Sequence, residues 1–120
     1  WERFKAARVQ ARDPLLARLS SQLDAFGHAN AGWLARDGLY QALEAANGGR
    51  YWREWPDEAD RRLFDPAPGD EAQAVGRLRA RLGEHIDGVD AWSFLQFLLH
   101  RQHRELQARA HALGLKLFGD

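Results

Sequence analysis

The sequence predicts a mainly α-helical fold, and three observations carry the prediction. Apolar residues recur at three- and four-residue steps, as in Leu15, Leu16, Leu19, Leu23 and Phe26, which draws an apolar stripe along one helix face. Start and stop signals, Asp13-Pro14 and Asn47-Gly48-Gly49 among them, bracket the periodic stretches. Strand-like alternation is confined to the last residues, "LKLFGD", Leu115 to Asp120.

Taken in order, Phe4, Ala7 and Val9 form a short stripe that ends before Asp13-Pro14. The Asp13 carboxylate can accept from orphan amides, and Pro14 at the first helical position gives up only an N–H that has no intrahelical partner. This helix runs to about Asn30. A further helix spans Gly32 to Ala46, with Trp33, Leu34, Leu39, Tyr40 and Leu43 as its buried side. Asn47-Gly48-Gly49 ends it, because glycine takes the left-handed conformation of a helix stop. Trp52 and Trp55-Pro56 then precede a short charged turn, "DEADRRLF", and "DPAPGD" (Asp65 to Asp70) is the clearest loop. From about Asp70 to Ile86, Val75, Leu78, Leu82 and Ile86 keep helical register until Asp87-Gly88 breaks it. The last helix, about Asp90 to Leu113, carries Phe94, Leu95, Leu98, Leu99, Gln102, Leu106, Ala110 and Leu113 and stops at Gly114. Leu115 onward reads as a loop feeding a buried strand. A lone strand cannot satisfy its amide and carbonyl groups, and nothing upstream is a convincing partner. Either the fold is all-helical with a tail, or the sheet lies outside these residues; the second reading is preferred.

One hundred and twenty residues suit one domain able to bury a core. Seventeen Lys and Arg cancel seventeen Asp and Glu, which disfavours nucleic acid and anionic membranes as partners. No apolar run approaches the roughly 18 residues of a membrane span. The absence of cysteine excludes disulfides and thiolate metal sites and fits a reducing, cytoplasmic compartment. The amino end, "WERFKAARVQARD", has no apolar signal-peptide region, and it begins without Met, as in a chain processed or cut from something longer.

The candidate chemical groups have plain structural readings. His100 and His103 are spaced i, i+3 on one helix. A di-iron bundle needs Glu-x-x-His pairs on two helices, and "HRQHRE" lacks the zinc-protease spacing, so neither metal nor cofactor is expected. Asp57, Glu58, Asp60, Asp65 and Asp70 lie in loop and helix-start contexts that suit capping and solvation. A general acid/base pair would need two carboxylates converging on a partly dry cleft. Arg61, Arg62, Arg77, Arg79, Arg81, Arg101 and Arg104 are interleaved with acids and read as solvated faces. Trp52 and Trp55 either plug the core from a loop or stack on a ligand, with the plug preferred.

Two blocks carry a resemblance. "WLARDGLYQALEAANGGRYWREWP" (Trp33–Pro56) and "FLQFLLHRQHRELQARAHALGLKLFGD" (Phe94–Asp120) resemble the 4-α-glucanotransferases, the amylomaltases or disproportionating enzymes. The matches are Trp33-Leu34, Leu39, Ala42-Leu43, Gly48-Gly49, Trp52 and Trp55-Pro56, then Phe94, Gln96, Leu98, Arg101-Gln102, Gly114, Leu117 and Gly119-Asp120. Their order and wide spacing make the set specific. Gly38, where alanine is usual, and His103, where tryptophan is common, depart from the pattern.

The resemblance implies the helical insertion region of a parent (β/α) barrel: residues 1–114 as a helical subdomain and 115–120 as the start of one barrel strand. It implies an enzyme that passes α-1,4-glucan units between maltodextrins by a retaining double displacement with carboxylate catalysts. The family's R-x-D-H, A-E-D-L-G and H-D-N motifs are absent from this sequence, so the piece is expected to be catalytically silent and to support the barrel. Asp120 is the one residue expected near the cleft, as a substrate-binding or positioning group. Trp33, Trp52, Trp55, Pro56, Gln96, Arg101 and Gln102 are expected to be structural. The alternative is a stand-alone, non-catalytic helical interaction module.

Overall fold

The computed structural model describes residues 1–10 and 13–115. Among them the chain forms helices α1 (Glu2–Gln10), α2 (Pro14–Ala29), α3 (Ala31–Ala46), α4 (Glu58–Arg61), α5 (Glu71–Glu84) and α6 (Ile86–Ala112), with a 3₁₀ turn at Trp52–Glu54 and no strand. The mainly helical expectation holds for these residues. The strand expected over Leu115–Asp120 lies, beyond Leu115, outside the described residues, and so does Asp120.

The punctuation follows local chemistry. Asp13 Oδ1 accepts from the Leu15 amide at 2.9 Å, opening α2 one residue before its proline. Gly48 and Gly49 at φ 69° and 78° close α3, and the Gly49 amide returns to the Glu44 carbonyl at 2.8 Å. Gly114, at φ 74°, does the same for α6, with the Leu115 amide on the Ala110 carbonyl at 2.8 Å.

Two compact units form. One comprises Trp1–Ala29 with the chain from Ser93 onward; the other is Asn30–Trp92. In the first, Phe94 packs on Trp1 and Phe4, with ring centroids 5.3 and 4.7 Å away, and Phe97 packs on Phe26 at 5.8 Å. Leu23, Phe97 and Ala110 are buried there, and Arg8 pairs with Asp24 across α1 and α2. In the second, Leu39, Leu43, Trp55, Leu63 and Val89 form the buried cluster, joined by the partly buried Tyr40, Trp52, Phe64, Leu78 and Leu82.

Several expectations need correction. The helix break falls at His85, and α6 begins at Ile86 and runs through Asp87-Gly88. Gly88 is no stop: it lies in the first turn of α6 beside Ala42, where an added Cβ would make an ordinary contact at 3.5 Å. Gly38 is the tight position, since its Cβ would meet Val89 Cγ1 at 3.0 Å. Trp33 is not on the buried side of α3 but 42% exposed, edge-on to Trp92 at 5.9 Å, with its indole N–H donating to Asn30 Oδ1 at 2.9 Å. An indole at the first turn keeps its N–H satisfied there at the rim. Val75 is also about half exposed, because α5 turns Leu78 and Leu82 toward the cluster, and Ile86, expected in register with them, instead opens α6 and is 51% exposed.

The glycines separate propensity from packing. Gly76→Ala in α5, where a Cβ meets nothing within 4 Å, should raise stability by about 1 kcal/mol in urea titration. Gly38→Ala should lower it by about 1 kcal/mol, since β-branched Val89 has little rotamer freedom in a helix and overpacking outweighs the propensity gain.

Candidate functional site

The chemistry-bearing side chains of the Asn30–Trp92 unit gather where the loop from Gly48 to Asp70 meets α5. Trp55 is 1% exposed. It lies on Tyr40 at a ring distance of 5.5 Å and donates its indole N–H to the Arg50 carbonyl at 2.9 Å. Both needs of an indole, an apolar body buried and a donor satisfied, are met at one position. Trp52 is different. It is half-buried, edges the same cluster and carries the Arg53 guanidinium over its ring at 5.2 Å. One tryptophan of the pair fills the core; the other rims it. Pro56, between the core tryptophan and α4, is exposed.

The charged turn after Pro56 is a one-turn helix, α4. Asp57 caps it, accepting from the Ala59 amide at 2.8 Å and from the Asp60 amide at 3.4 Å, and Arg61 reaches back to donate to the Trp55 carbonyl. Asp60 departs from the solvated role expected for it. It is 3% exposed, and Arg77 and Arg81 donate to its two carboxylate oxygens at 3.2 and 2.8 Å. Arg77 also donates to Asp57 Oδ2 at 2.7 Å. The solvated-face reading of Arg77 and Arg81 therefore gives way: one turn apart on α5, they close on a buried anion. The i, i+4 spacing of these arginines was the available signal, but only the fold shows which acid they reach.

Burial works to lower the Arg81 pKa, but the hydrogen bonds and charges of Glu84 and Asp60 outweigh it and hold the guanidinium above its usual value. The Tyr40 phenol is raised too, by burial first and then by Glu44, which repels the phenolate and accepts its hydrogen bond.

A cavity of about 530 Å³ opens beside the clamp, lined by Glu58, Arg62, Pro66, Asp70, Gln73 and Arg77 among others. At 3% exposure, with both Asp60 oxygens held by guanidinium groups, this carboxylate is committed to the clamp. The arrangement fastens α4 to α5. Among the described residues no group of three His, Asp or Glu is arranged to hold a metal ion.

The remaining expected residues lie on α6. Gln96 and Arg101 are half-buried, Arg101 lies 3.8 Å from Glu105, and Gln102 is exposed. His100 faces Phe26 at 5.2 Å and lines a cavity of about 520 Å³ with Gln22, Phe97 and Arg104, whereas His103 is exposed and does not join it. The histidine pair is not brought to one ligand position.

With this geometry in hand, the comparisons decide the family. A family model described as 4-alpha-glucanotransferase matches residues 2–120. The chain belongs to the 4-alpha-glucanotransferase family. The chain is similar to the 4-alpha-glucanotransferase of Thermus thermophilus, 34% identical over 96 residues, covering 80% of this chain and 17% of that protein. It is 30% identical over 119 residues to the 4-alpha-glucanotransferase of Synechocystis sp. (strain ATCC 27184 / PCC 6803 / Kazusa), covering 98% of this chain and 21% of that protein. The chain thus spans about a fifth of the length of these relatives. No solved structure matches.

Two pairs of substitutions probe the site. Asp60→Ala should cost about 3 kcal/mol, because it takes from Arg77 and Arg81 the buried anion they share and leaves Arg81 only the exposed Glu84, whereas Asp57→Ala should cost about 1 kcal/mol for the cap and an exposed pair. Trp55→Ala should cost about 3–5 kcal/mol and Trp52→Ala clearly less, both read from denaturant midpoints.

Proposed function

We propose that this chain is the helical segment of a 4-α-glucanotransferase that passes α-1,4-glucan units between maltodextrins with retention, and that it supports the catalytic (β/α) barrel without supplying its catalysts. The observation that carries the reading is the pairing of two facts: the family match runs along residues 2–120, yet the chain spans 17% and 21% of its relatives' length. The motifs that bring the nucleophile and acid/base to this chemistry are absent from the sequence. The most deeply buried carboxylate among the described residues, Asp60, is committed to two arginines. A retaining glycosyl transfer needs two carboxyl groups about 5 Å apart on either side of a glycosidic bond, and the capping and clamping roles of Asp57 and Asp60 leave neither free for it.

In this reading Leu115–Asp120 begins a barrel strand, and Asp120 stands at the end where barrel chemistry sits, as a positioning or substrate-binding group. Trp52 and Trp55 belong to packing, and Pro56, Gln96, Arg101, Gln102 and Trp33 to the scaffold. The partners are α-1,4-glucans, reached through the parent enzyme, in the cytoplasm. No helix among the described residues is long and apolar enough to cross a membrane.

The test is maltotriose disproportionation by the purified 120-residue chain. No glucose or longer maltodextrin should form above the buffer control. Turnover that survives repurification and is lost on heat denaturation would overturn the reading.

A further inference from the structure

Helix α6 is apolar on two sides, and only one of them is covered. Phe94 and Phe97 turn inward, against Trp1, Phe4 and Phe26. Leu95, Leu99, Leu106 and Leu113 do not: they are 50%, 49%, 55% and 76% exposed. Their steps of four, seven and seven residues keep them within about 40° of one another on a helix, so they form one line about 27 Å long. Scattered exposed leucines need no explanation, but an aligned set marks a surface that is covered in the working protein.

The composition of the line bears on what covers it. Continued in coiled-coil spacing, it reads Leu95, Leu99, Gln102, Leu106, Arg109, Leu113. A second copy pairing through this seam would bury a glutamine and an arginine on each helix, where two-stranded pairs want apolar residues. The family relation offers a different occupant, one that need not set a second glutamine and arginine against these two. The line lies inside the matched residues 2–120, and most of the length of both relatives lies outside the stretch they share with this chain.

We propose that the Leu95–Leu113 line of α6 is the surface on which the remainder of the glucanotransferase chain packs. The proposal rests on the functional reading above and adds to it the residues of contact. Gln102, in the middle of the line, is where that remainder presents a hydrogen-bond partner, and Arg109 lies at the edge, where its head group reaches water while its stem covers apolar surface.

The chain has no cysteine, so a single introduced thiol reports the covering of one position. Leu99→Cys and, separately, Leu106→Cys are placed in the 120-residue chain and in a graft that replaces the matching segment of the Synechocystis relative. Iodoacetamide alkylation at that site is followed by mass spectrometry. The thiol should react freely in the isolated chain and about tenfold or more slowly in an active graft. Equal rates in both, with the graft active, would overturn the proposal. A protected thiol in an isolated chain whose light-scattering mass is doubled would also overturn it, in favour of a second copy. A graft that aggregates without activity while the isolated chain stays folded would remove the functional reading itself, and the proposal with it.

Discussion

Asp60 is the constraint around which the Asn30–Trp92 unit is arranged. A carboxylate at 3% exposure costs several kcal/mol to desolvate unless it is paired and hydrogen-bonded. Pairing both its oxygens requires α5 to present Arg77 and Arg81, one turn apart, at a fixed distance from α4. That requirement also explains how a helix as short as Glu58–Arg61 persists, since one turn cannot repay its own nucleation. The turn is held from outside: by the Asp57 cap, by Arg61 on the Trp55 carbonyl and by the two guanidinium groups. Trp55 lies directly upstream, so the carbonyl that fixes Arg61 belongs to the residue that fills the core.

A second constraint works through what is missing from the sequence. Gly38 carries no Cβ where α3 meets the first turns of α6, at Val89. Glycine weakens α3 by about 1 kcal/mol relative to alanine, and close packing around Leu39, Leu43 and Val89, which are 0–4% exposed, offsets that loss. Polar clamp and small-residue contact fall in one unit, and both serve to hold elements in place.

Membership of the glucanotransferase family gives these features a context. A segment that spans about a fifth of its relatives' length is expected to show a satisfied interior together with surface that is finished elsewhere. The chain meets the first in part, since the buried Nε atoms of Arg77 and Arg81 have no hydrogen-bond partner, and the second is the proposal made above for α6. Its buried acid is paired and its buried indole is bonded, while the leucines along α6 remain in water.

Helix existence and punctuation were legible in the sequence, because they depend on neighbours within four residues: Asp13 capping α2, Gly48-Gly49 ending α3 and Gly114 ending α6. The two-tryptophan block was also legible as a plug, though only Trp55 fills that role while Trp52 rims it. Family membership was readable as well, since it rests on the order of motifs and not on their contacts. What the sequence could not supply was any fact that depends on a partner distant in the chain. Gly88 reads locally as a break but lies inside α6, while Gly38 reads as a mere departure from pattern but makes room for Val89, 51 positions on in this numbering. Asp60 reads as one more solvated acid until α5, seventeen and twenty-one residues on, closes on it. Periodicity and caps are local and survive in a one-dimensional reading; pairing and close approach are set by which helix faces meet, and the tertiary structure alone decides that.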